Sequence, residues 1–121
     1  MTEGEIHDFG IEVVVKYLRQ DGHEVVAVDA NPAVNPQVVA RIDGQLAHIF
    51  VRTACYPHKG TIDTRMRELA VAHARRHTAT AYFASVGIAN ADGADDSEMA
   101  RPVTGAGFYV SYAGLDPMVS G

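Results

Sequence analysis

A chain of 121 residues, 47% of them hydrophobic, has the length for one core and the composition of a globular protein rather than of a disordered or membrane one. No apolar run approaches the ~20 residues needed to span a bilayer, MTEGEIHDFG lacks the basic-then-apolar order of a secretory signal, and the lone Cys55 excludes an intramolecular disulfide. The net charge of −5 argues against a broad electrostatic grip on nucleic acid, and the expectation is one soluble, cytoplasmic domain over residues 1–121, without membrane contact.

Thr2 followed by Glu5 reads as a capping box. Ile6, Phe9, Val13 and Tyr17, widened by Val14 and Leu18, then recur at helical spacing, so a helix runs from about residue 3 to 20. Asp21-Gly22 stops it, and the β-branched HEVVAVDA is a first strand. Asn31-Pro32 and Asn35-Pro36 punctuate the connection that follows. Residues 35 to 53 read as a hairpin about Asp43-Gly44, and TACYPHKGTID as a loop ending on Asp63, an N-cap. The next helix runs to about His77 and places Met66, Leu69, Ala70, His73 and His77 on one stripe. TAYFASVGIA, nearly free of charge, is a strand buried on both faces, NADGADDSE a solvated acidic loop, and GFYVSYAG a final strand whose glycines fit an edge position or a bulge. The fold class is α/β, a three-layer α/β/α arrangement with a mixed sheet, in the order α-β-β-β-α-β plus one C-terminal strand.

The hairpin carries the chemistry. A two-residue turn sets Ile42 against Gln45, so that opposed residue numbers sum to 87. Side chains alternate across a strand, so Val38, Ala40, Ile42, Ala47, Ile49 and Val51 share an apolar face. The opposite face carries Gln37, Val39, Arg41, Leu46, His48, Phe50 and Arg52.

With its Pro36-Gln37 step, its Asp-Gly turn and the run IFVRT, this order of elements resembles the restriction-endonuclease-like superfamily, whose motif is Pro-Asp, a spacer and Asp/Glu-x-Lys. The resemblance covers residues 3 to 89. It implies that Pro36 matches the proline, Gln37 the Asp, Phe50 the second acid and Arg52 the lysine, with Glu5 matching an acid that many members carry on the first helix. Members hold Mg²⁺ on the two carboxylates, where it stabilises phosphate charge and activates water. Here Gln37 has an oxygen but no charge, Phe50 binds no metal, and Arg52 stays protonated and cannot serve as a base. The implied reading is a degenerate, non-catalytic member with no cofactor. An alternative keeps nuclease activity and Mg²⁺ through relocated ligands, drawn from Glu5, Asp29 and His48.

A binding role fits the charge distribution. Residues 52 to 77 hold six of the ten basic side chains and a local charge of +4, leaving −9 elsewhere. Arg41, Arg52, Lys59, Arg65 and Arg67 are the nucleic-acid candidates; a protein partner, or a homodimer pairing through FYVSY, are the other readings. Cys55-x-x-His58 with His73-x-x-x-His77 has zinc-ligand types at loose spacing, and Cys55 beside His58 has the elements of a nucleophile pair.

Overall fold

The computed structural model describes residues 1–31, 36–103 and 107–118. Pro32 and Asn35, which the sequence marks as chain punctuation, lie outside them. The first helix, α1 (Glu3–Gln20), begins at its capping box. Thr2 Oγ1 accepts from the Glu5 N–H at 3.1 Å, and Glu5 Oε1 accepts from the Thr2 N–H at 3.0 Å. Gly22, at φ 82°, turns the chain into β1 (Glu24–Val28).

β2 (Val38–Ile42) and β3 (Gln45–Cys55) form the expected hairpin. Asp43 and Gly44 both have positive φ, 52° and 81°, the conformation of the tight turn whose twist matches that of the strands. The observed pairs, from Val38 with Ile49 to Ile42 with Gln45, keep the sum of 87. β3 runs two residues past the expected end at Thr53. Thr53, Ala54 and Cys55 pair in parallel with Val86, Gly87 and Ile88 of β4 (Thr80–Asn90), so a distant strand orders backbone that has no local strand signal.

Between β3 and β4 lies α2 (Thr64–Arg76), capped by Asp63, whose carboxylate accepts the Met66 N–H at 2.7 Å. Two short elements escape the sequence pattern. The acidic stretch expected to be a solvated loop contains a single turn, α3 (Asp96–Met99), held by Asp95 accepting from the Glu98 N–H at 2.9 Å. After β5 (Phe108–Tyr112) comes β6 (Asp116–Pro117), too short for any periodicity.

The mixed sheet runs β1-β2-β3-β4-β5, with β6 also on β4; among the described strands only β3 and β4 are parallel. β1 and β5 lie at its two ends. Alternation along β3 divides the core. Ala47, Ile49 and Val51 pack with Ile11, Val14 and Leu18 of α1, whereas Phe50 packs with Ala70, Val71 and Ala74 of α2. The chain is therefore α/β with a helix on each face of the sheet. α1 comes so close to β3 that a Cβ on Gly10 would overlap the Thr53 hydroxyl.

The buried stripe of α2 differs from the expected one: Ala70, Val71 and Ala74 are buried, while Leu69 is 40% exposed and His77 is exposed. The face α2 turns to Phe50 and Phe83 is that of Ala70, Val71 and Ala74, and at ~100° per residue Leu69 lies well off it. No described helix is long and apolar enough to cross a membrane.

Candidate functional site

Gln37 precedes β2 and is completely buried. Its Oε1 accepts the Val51 N–H at 2.8 Å and Arg52 Nη1 at 3.0 Å, and its Nε2 donates to the Asn31 carbonyl at 2.9 Å. Arg52 Nη1 also donates to the Val51 carbonyl at 2.8 Å. Burial lowers the Arg52 pKa while Asp63 pulls it back up, and a guanidinium stays charged through such a shift. An amide suits this position because it accepts and donates together, whereas an ionised carboxylate would have nothing to give Asn31. Phe50, the other position matched to a metal ligand, is fully buried beneath α2. Gln37 and Arg52 thus meet, as the register implies, but as a structural latch.

The remaining candidates scatter. Glu5 sits in the capping box of α1, on the helix covering the Ala47–Ile49–Val51 face, and does not join Asp29 and His48, which line a cavity on the α2 face. Arg41 lies 3.6 Å from Glu24 near the hairpin tip. Its partner Leu46 is six residues from Arg52 along β3, ~20 Å at strand rise, so Arg41 and Arg52 do not grip one phosphate together. Arg67 lies 3.5 Å from Asp116, and Lys59 and Arg65 are exposed. Cys55 is seven residues beyond His48, ~23 Å along the same strand, so the Cys55, His58, His73 and His77 spacing does not close into one cluster. Burial pushes the Cys55 thiol up, the reverse of what activates a nucleophile.

What the structure does assemble is a histidine trio. His48 alternates with Ile49 and so faces α2, and the last turn of α2 lies over the start of β3. The His48 ring centroid is 5.5 Å from that of His73 and 5.5 Å from that of His77, and the latter two are 4.5 Å apart. His48 is only 5% exposed, and its Nδ1 is buried without a hydrogen-bond partner. Burial, then the neighbouring His73 and His77, lower its pKa to about 4. Burial chiefly, with His77 and Arg76, lowers that of His73. His77 Nδ1 lies 2.9 Å from the His73 carbonyl oxygen.

These rings line a cavity of about 300 Å³ with Ala27, Asp29, Pro36 and Val39. Asp29 also closes a local turn, its Oδ1 accepting the Asn31 N–H at 3.0 Å. As the rings stand, no group of three or more His, Cys, Asp or Glu side chains among the described residues is set to hold a metal ion. The sequence places His48 on the hairpin face opposite Ile49 and His73 with His77 one helical turn apart, but nothing in it joins the two observations.

A family model described as a domain of unknown function, DUF8840, matches residues 4–118. No curated protein matches the chain.

Proposed function

The chain belongs to the DUF8840 family, and we propose that it is a non-catalytic binding domain on a restriction-endonuclease-like scaffold, with nucleic acid as its ligand. The observation that carries this reading is the conversion of the positions matched to metal ligands into structure. Gln37 is buried and bonded at both ends of its amide, and Phe50 is a core residue, so neither offers a carboxylate to a divalent ion. The order of elements, with β1, β2 and β3 antiparallel and β4 returning in parallel through α2, agrees with the scaffold that the resemblance implies.

The binding half of the reading rests on the cations that remain exposed. Lys59, Arg65 and Arg76 lie on or just before α2, with Arg65 and Arg76 separated by eleven residues of helix, ~16 Å. That length matches about five phosphates of one strand of a duplex. Arg52 contributes indirectly, by holding the end of β3 against Gln37. The test is fluorescence anisotropy of labelled single-stranded and duplex oligonucleotides over a range of salt. Binding that weakens steeply with salt, and that Arg65→Ala with Arg76→Ala reduces, supports the reading; absent or salt-independent binding refutes it.

A further inference from the structure

We propose that His48, His73 and His77 form a binding site for a divalent transition-metal ion of the zinc class, separate from the positions matched to the nuclease motif. The argument begins with spacing. A zinc ion sits ~2.1 Å from a histidine nitrogen and therefore ~3.2 Å from the ring centroid, so three ligands in tetrahedral disposition have centroids ~5.2 Å apart. The observed separations of 5.5, 5.5 and 4.5 Å bracket that value. The rings are tilted against one another by 39° to 43°, and as they stand they are not set to hold an ion. Closing the site calls for ring rotation, which the half-buried His73 can make without moving the backbone while His77 keeps its Nδ1 against the His73 carbonyl.

Two polar details point to a ligand. A metal-bound histidine ordinarily donates its second ring N–H to a carbonyl or carboxylate, which fixes the tautomer and leaves the other nitrogen's lone pair for the metal. His77 has that arrangement, with Nδ1 2.9 Å from the His73 carbonyl and Nε2 left for coordination. His48 supplies the second detail. A 95% buried imidazole whose Nδ1 has no partner is costly, and a coordinated ion beside it supplies what the protein leaves out. Asp29 lines the same cavity and offers a carboxylate for the fourth position, with water as the other occupant.

Imidazole donors select the ion class. Three nitrogens suit zinc, copper, nickel or cobalt and do not suit magnesium or calcium, which take oxygen ligands. The site is therefore distinct in chemistry from a nuclease magnesium centre.

The test uses the full chain with no affinity tag, because a polyhistidine tag would itself bind the probe. Isothermal titration with Zn²⁺ is run on the wild type and on His73→Ala, His77→Ala and His58→Ala, with circular dichroism confirming that each variant is folded. His77 is exposed at the end of α2, so its variant reports on ligation even if a change at buried His48 prevents folding. The expected result is one Zn²⁺ per chain, weakened at least ~10-fold in both His73→Ala and His77→Ala and unchanged in His58→Ala. Titration with Mg²⁺ is expected to give no binding at this site. No Zn²⁺ binding by the wild type, or binding that either His73→Ala or His77→Ala leaves intact, overturns the proposal.

Discussion

Gln37 and Arg52 are held together at 3.0 Å across the start of β2 and the middle of β3, and the same amide oxygen takes the Val51 N–H at 2.8 Å. One side chain thus caps a strand and fixes the charged group beside it. Removing that side chain leaves a buried peptide N–H and part of a guanidinium without their acceptor. Gln37→Ala is expected to destabilise the fold by about 2–3 kcal/mol, read as a lower urea midpoint at unchanged slope. Gln37→Glu keeps the acceptor and loses the donor to Asn31, so its midpoint should fall between those of the wild type and Gln37→Ala.

The loop after β3 is pinned to the sheet through Gly60, whose N–H donates to the Val86 carbonyl at 3.1 Å and whose carbonyl accepts from Ser85 Oγ at 2.6 Å. A Cβ there would fall on the backbone carbonyl of Arg52, which no rotamer change relieves. Gly60→Ala should therefore cost about 3 kcal/mol or more. Gly10→Ala meets the Thr53 side chain instead, so Thr53→Ala should recover part of its loss; thermal denaturation of both single variants and the double variant measures the coupling.

Acid should weaken the metal-free protein through His48. Its ordinary pKa of 6.5 applies in the unfolded chain, and the folded value is about 4. Between those two values the unfolded chain binds a proton that the folded chain refuses, so stability is full above pH 6.5, falls as the pH drops towards 4, and levels off below. The groups facing His48 are His73 and His77 from α2, both of which oppose a positive charge on it, and Asp29 across the cavity. Urea midpoints for wild type and His48→Leu at pH 7 and pH 5, in the presence of chelator, isolate the effect. The wild type should lose more stability on acidification than the variant does.

The parts of this fold that were legible in the sequence are those fixed by neighbouring residues. Thr2 and Glu5 mark the start of α1, and Asp43-Gly44 dictates a turn that places His48, Phe50 and Arg52 on the face opposite Ile49. The missed parts depend on distant partners. Cys55 is strand because Ile88 pairs with it, and Leu69 is exposed because α2 turns the face of Ala70, Val71 and Ala74 to Phe50 and Phe83. The candidate metal site was illegible for the same reason. His48 meets His73 and His77 only after α2 has carried the chain across to the parallel β4 and laid its last turn over the start of β3.

Binding without hydrolysis is tested most directly by incubating end-labelled DNA and RNA with the tag-free chain and millimolar Mg²⁺ or Mn²⁺, and resolving bound and cleaved species at several salt concentrations. The expected result is a salt-sensitive bound species with the nucleic acid intact. In Arg65→Ala/Arg76→Ala the slope of log affinity against log salt should become shallower by about 2. Cleavage that depends on the added metal, or no bound species at the lowest salt, would contradict it.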